Sequence, residues 1–118
     1  MNVEWMRGCA TALVTPFKAD GGVDLEGMRG LVGRQVAGGV RLLVPCGTTG
    51  ESVTMSQDER EAVIGATVEA AAGRARVIAG TGSNNTAHAA VAAERRHKRR
   101  RAPAHPFNVH RQPPAGKW

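Results

Sequence analysis

Tyrosine is absent from this 118-residue chain, and Trp and Phe contribute only two residues each. No site built from these residues alone can use a phenolic hydroxyl. Cysteine is scarce as well. Cys9 and Cys46 cannot make a disulfide framework, and neither has metal-ligand spacing with a histidine. Both lie in apolar, strand-like runs, so both are expected to be buried, inert thiols, with no metal and no cofactor. No apolar run approaches the ~20 residues of a membrane span. Met1 to Gly8 holds Glu4 and lacks an apolar core, so no signal peptide is expected and the expected compartment is the cytoplasm. Lysine is limited to Lys18, Lys98 and Lys117. The length suits one small domain rather than two.

Charge is unevenly spread. The chain carries +6 overall, but residues 1–93 hold eight Lys/Arg and nine Asp/Glu, a net of −1. Residues 94–118 hold eight Lys/Arg against Glu94, a net of +7, with four of the six prolines and three of the four histidines. The two parts need separate explanations. A folded unit over 1–93 and a basic Pro/Arg-rich tail over 94–118 are expected.

The most informative stretch is Gly47-Thr48-Thr49-Gly50-Glu51-Ser52, which follows the apolar run Leu42-Leu43-Val44-Pro45-Cys46. Gly47 and Gly50 are free to adopt backbone angles closed to other residues, so amide N–H groups can turn toward one point. Converging amides hold an anion such as a carboxylate, and two threonine hydroxyls can grip it or relay a proton. The plain alternative is a tight turn whose threonines only satisfy their own backbone.

Around this loop the chain reads as repeated strand–helix units. Residues 9–14, 42–44 and 76–79 form short, continuously apolar runs expected as strands buried on both faces of a parallel sheet. Their starts recur at a spacing of about 33 residues, the length of a strand–helix–strand unit. Ankyrin repeats share that period, but their signature is missing. Asp20-Gly21-Gly22 reads as a turn. Asp24 caps a helix whose face is Leu25, Met28, Leu31, Val32 and Val36, ended by Gly38-Gly39. Internal Gly27, Gly30 and Gly33 weaken it by about 1 kcal/mol each relative to Ala. Ser56 and Glu59 fit a capping box that opens a second helix, with Val63, Ile64, Thr67, Val68 and Ala71 facing inward and Gly73 closing it. A second glycine- and hydroxyl-rich loop spans 80–86, and a third helix is expected from Ala87 to Ala93. The pattern alone gives three β/α units of an α/β protein, with both special loops at the C-terminal ends of strands, where such folds bind ligands.

Four blocks together carry a family resemblance: Thr11-Ala12-Leu13-Val14-Thr15-Pro16-Phe17; Asp20-Gly21-Gly22-Val23-Asp24; Pro45-Cys46-Gly47-Thr48-Thr49-Gly50-Glu51-Ser52; and Ile78-Ala79-Gly80-Thr81-Gly82-Ser83-Asn84-Asn85-Thr86. In this order and spacing they resemble the pyruvate-dependent class I aldolases, and within them the dihydrodipicolinate synthases. Sibling N-acetylneuraminate lyases usually resemble GSTGE at the third block. The resemblance implies the first three β/α units of a (β/α)8 barrel. It also implies a cofactor-free Schiff-base lyase that condenses pyruvate with aspartate semialdehyde in lysine and diaminopimelate synthesis. By motif match, Thr49 holds the pyruvate carboxylate with loop amides that include Gly47, and Thr48 belongs to a proton relay. Asn84 falls where some members bind inhibitory lysine, and His88 stands where lysine-sensitive members often carry Glu. The family is usually homo-oligomeric, with no membrane or nucleic-acid partner.

The resemblance ends with the third unit. The relay's two tyrosines, the Schiff-base lysine of the sixth strand and the substrate-binding arginine have no counterpart among these residues. The chain alone is therefore expected to be inactive. Its first and third strands are expected to expose unpaired backbone groups, leaving it marginally stable. The tail departs from the family pattern, with Pro103 and Pro106 denying a helix. A frameshift in GC-rich coding DNA, giving a disordered tail, is the expected explanation. The alternative is a nucleic-acid-binding arm, since six Lys/Arg fall within residues 95–101 and would bind phosphates in a salt-dependent way.

Overall fold

Two helices and three strands alternate along the chain: β1 (Ala10–Ala12), α1 (Leu25–Ala37), β2 (Leu42–Val44), α2 (Gln57–Ala71) and β3 (Arg76–Val77). The computed structural model describes residues 4–83 together with Ala87, Val91 and Glu94. Ala87 and Val91 are helical, as expected of a third helix over Ala87 to Ala93, and Glu94, expected in the basic tail, is helical as well. The other positions of the expected third helix, including His88, together with Asn84 and residues 95–118 lie outside the described residues.

The strands form one parallel sheet in the order β1-β2-β3. Ala10, Thr11 and Ala12 pair with Leu42, Leu43 and Val44, and Leu42 and Leu43 pair with Arg76 and Val77. The ladder on the β3 side runs past the formal strand. Arg76, Ile78 and Gly80 donate to the carbonyls of Arg41, Leu43 and Pro45 at 2.8, 2.8 and 2.9 Å. Bonds from every second residue are the parallel pattern, so the expected run through Ala79 is extended and paired with β2.

Both helix starts follow from local chemistry. The Asp24 carboxylate accepts from the Gly27 amide at 2.9 Å. A Cβ on Gly27 would lie 2.6 Å from that carboxylate, so this glycine makes room for the cap. At α2 the expected capping box forms. The Glu59 amide donates to Ser56 Oγ at 3.2 Å, and the Ser56 amide donates to Glu59 Oε2 at 2.7 Å. At the other end of α2 the left-handed residue is Ala72 (φ +47°), one position before Gly73 (φ +73°).

The core lies between the helices and one face of the sheet. Met28 and Val32 of α1 and Val63, Ile64 and Ala71 of α2 are buried with Leu43, Val77 and Ala79. Thr67 is also fully buried, and its hydroxyl donates to the Val63 carbonyl one turn back at 2.7 Å. The inward faces expected of both helices are those observed.

β1 departs from expectation. Ala10 and Ala12 are exposed and Thr11 is only half-buried. Cys9, expected to be a buried thiol, is exposed, whereas Cys46 is buried. The cause is cover. β1 and β3 both lie at sheet edges, but α2 packs on β3, whereas β1 packs chiefly against β2 among the described residues. Only Leu13, just past it, reaches the core at 1% exposure.

Candidate functional site

The loop after β2 is held from both sides. On the β1 side, Thr15 is 5% exposed, and its hydroxyl donates to the Gly50 carbonyl at 2.7 Å. A Cβ on Gly50 would stand 2.9 Å from the Leu13 carbonyl and 3.2 Å from the Cys46 nitrogen. Gly50 is thus required for a close approach of backbone to backbone. On the β3 side, Gly80 donates to the Pro45 carbonyl, and a Cβ there would overlap the Cys46 carbonyl. The loops following the three strands therefore meet at the C-terminal edge of the sheet.

Within the loop the chain coils tightly. Gly50 donates to Gly47 O at 3.1 Å and Glu51 to Thr48 O at 3.0 Å, before a single 3-10 turn over Ser52–Thr54. The expected freedom of Gly47 and Gly50 is not used, since neither has a positive φ. The left-handed residues are Cys46 (φ +58°) and Glu51 (φ +55°), which flank the Gly-Thr-Thr-Gly segment. Non-glycine residues in this region carry strain of about 1–3 kcal/mol each. Such strain persists where surrounding contacts impose it, and it gathers at binding sites.

Thr48 and Thr49 are exposed, while Gly47 is half-buried and Gly50 and Ser52 are buried. Among the described residues, no hydrogen bond uses the hydroxyl or the amide of Thr48 or Thr49 as a donor. Two adjacent residues thus offer four donors at the C-terminal edge of a parallel sheet, in a loop whose Gly50, Glu51 and Ser52 amides are engaged. The sequence-derived trio Gly47, Thr48 and Thr49 is contiguous here. Asn84 and His88 are outside the described residues, so nothing joins them to this trio. Lys18 is exposed in the turn between β1 and α1, where its amide donates to Gly22 O at 2.7 Å. Among the described residues, no group of three His, Cys, Asp or Glu could hold a metal ion, and no helix is long and apolar enough to cross a membrane.

Sequence reasoning passed over Thr15 and the steric role of Gly80. The available signals were a threonine ahead of Pro16 at a strand's end, and a glycine opening the loop after the third strand.

Comparison with known proteins agrees with this geometry. The family model described as the dihydrodipicolinate synthetase family matches residues 5–100. A 4-hydroxy-tetrahydrodipicolinate synthase of Koribacter versatilis is 57% identical over 84 residues, 71% of this chain and 28% of that protein. The crystal structure of dihydrodipicolinate synthase from Aquifex aeolicus superposes with a TM-score of 0.68 at 47% identity, covering 72% of this chain and 29% of that one. N-acetylneuraminate lyase from Mycoplasma synoviae gives a TM-score of 0.75 at 31% identity, over 82% of this chain and 34% of that one. The chain thus spans at most about a third of the length of these relatives. It belongs to the dihydrodipicolinate synthetase family, and its three β/α units are those of the N-terminal part of that family's (β/α)8 barrel.

Proposed function

We propose that the loop Gly47–Ser52 is the carboxylate-gripping part of a Schiff-base lyase site of the 4-hydroxy-tetrahydrodipicolinate synthase kind, acting on pyruvate and aspartate semialdehyde in lysine and diaminopimelate synthesis. One observation carries this reading. Thr48 and Thr49 present exposed side chains and undonated amides at the C-terminal edge of the central strand. Thr49, with loop amides that include Gly47, holds the carboxylate. Thr48 supplies a hydroxyl to a proton relay. In such a reaction a lysine amine attacks the keto carbon, water leaves, and the iminium accepts the electron pair that makes the adjacent carbon a nucleophile. The proposed compartment is the cytoplasm and the proposed active form is a homo-oligomer. Asn84 and His88, four positions apart in the sequence, are proposed as part of a site for inhibitory lysine.

The chain alone is proposed to be inactive, because Lys18 sits in an exposed turn after the first strand, Lys98 and Lys117 fall in the basic tail, and no tyrosine among these residues can complete the relay. The full chain incubated with pyruvate and borohydride should gain no mass, and a coupled assay with aspartate semialdehyde should show no turnover. A reduced pyruvyl adduct on Lys18 would overturn the inactivity. Absence of any pyruvate-induced change in the NMR signals of Thr48 and Thr49 would overturn the carboxylate assignment. The net charge of +7 over residues 94–118 favours one second reading, a nucleic-acid-binding arm. Binding to duplex DNA that weakens steeply with salt and vanishes on deleting residues 94–118 would establish it.

A further inference from the structure

We propose that Thr15 is a positioning residue for this site: its buried hydroxyl fixes the Gly50–Glu51 peptide and so sets where Thr48 and Thr49 meet a carboxylate. The inference rests on the carboxylate reading of the loop. Thr15 lies on a different β/α unit, 35 residues from Gly50, in a separate one of the four sequence blocks. Its hydroxyl supplies the one hydrogen bond that the Gly50 carbonyl accepts among the described residues. Gly50 is buried, so that carbonyl has poor access to water as a substitute donor. The peptide it belongs to leads directly into Glu51, which is left-handed at φ +55°. A strained residue keeps its conformation only while neighbouring contacts impose it.

Around Gly50 the other close contacts come from backbone, the Leu13 carbonyl at 2.9 Å and the Cys46 nitrogen at 3.2 Å from a built Cβ. Thr15 is the side chain in that set, so it is where the loop's setting can be changed without moving a strand. Pro16 keeps Thr15 out of the helical region. Replacing the hydroxyl by a methyl in Thr15→Val preserves shape and β-branching. It leaves a buried acceptor unpaired, and the peptide gains by tilting toward water. Tilting carries the Glu51 amide of the same peptide, which donates to the Thr48 carbonyl, and with it the two threonines.

The test uses the full 118-residue chain and two readouts, amide hydrogen exchange without ligand and titration with sodium pyruvate followed by NMR. In Thr15→Val, the Gly50 and Glu51 amides should exchange roughly tenfold faster, a lost buried hydrogen bond being of that order. The Ile78 and Gly80 amides of the β2–β3 ladder should be unchanged. Pyruvate should bind at least about fivefold more weakly, and Thr15→Ser should restore both properties. Parental loop exchange and parental Thr48 and Thr49 shifts in a folded Thr15→Val would overturn the proposal. If Thr15→Val fails to fold, Thr15→Ser decides. A parental loop supports the hydroxyl's role, and a loosened one refutes it. If the parent chain ignores pyruvate, the carboxylate reading falls, while the exchange rates still judge Thr15.

Discussion

Gly80 and Gly47 open sister loops after adjacent strands, and neither uses a positive φ, yet they should respond oppositely to a methyl group. A Cβ on Gly47 meets nothing within 4 Å. A Cβ on Gly80 overlaps the Cys46 carbonyl and lies 2.8 Å from the Gly47 nitrogen. Both obstacles are backbone, which cannot rotate aside as a side chain would. Cys46 is also pinned, being 2% exposed and already left-handed. Alanine in place of glycine at a permissive position gains about 0.4–1 kcal/mol by restricting the unfolded chain. Overpacking against a rigid neighbour costs about 1–3 kcal/mol. The net expectation is a loss of about 2 kcal/mol for Gly80→Ala and a change within about 0.5 kcal/mol of neutral, or a small gain, for Gly47→Ala.

Urea unfolding followed by circular dichroism measures both. With a denaturant slope of about 1 kcal/mol per molar for a domain this small, Gly80→Ala should lower the midpoint by about 2 M. An excluded osmolyte such as trimethylamine N-oxide can be present throughout to keep the parent's folded baseline measurable. A Gly80→Ala midpoint equal to the parent's would refute the close approach of the two loops. Equal damage from both variants would show that Gly47 is constrained in a way its surroundings do not account for.

Other perturbations separate local from tertiary contributions. Ser56→Ala removes one half of the capping box and should cost about 1 kcal/mol in the same assay, with Ser56→Asp restoring most of it. Met28→Ala opens a cavity under α1 at a fully buried position and should cost about 2–5 kcal/mol, enough to abolish cooperative unfolding. Thr67→Val should be nearly neutral, within about 1 kcal/mol, because the Val63 carbonyl keeps its helical partner when the hydroxyl goes. A large loss at Thr67 would mean that its hydroxyl serves a contact beyond its own helix. Glu69→Gln removes an exposed ion pair to Arg29 at 3.4 Å and should shift stability by less than about 0.5 kcal/mol.

What could be read in advance follows the range of the interactions. Asp24, Ser56 and Glu59 sit within three residues of the groups they cap, so sequence spacing sufficed for both helix starts. The inward faces of α1 and α2 were legible because 3.6-residue periodicity is itself local. The burial of β1 was not, because an apolar tripeptide is buried only if something covers it. Cys9 shows the failure plainly, being as apolar in context as Cys46 yet exposed where Cys46 is buried. Thr48 and Thr49 could be nominated from sequence because their motif is contiguous. Thr15 was missed because its partner Gly50 lies a whole β/α unit away.

The loop also shows why a glycine-rich motif is an uncertain guide to backbone shape. Glycine invites the inference of unusual angles, but at Gly50 and Gly80 the missing Cβ serves proximity instead. The unusual angles fall on Cys46 and Glu51, residues that resist them. A segment left to itself would relax at those two positions, each by about 1 kcal/mol or more. The conformation must therefore be imposed from outside, by the Thr15 hydroxyl on one side and the Gly80 backbone on the other. A loop set this way is already shaped before any ligand meets it, and on the proposed carboxylate reading binding need not meet the entropy of ordering it. The same arrangement makes the loop dependent on three strands lying side by side. Its shape belongs to the sheet's edge and not to the six residues that spell it.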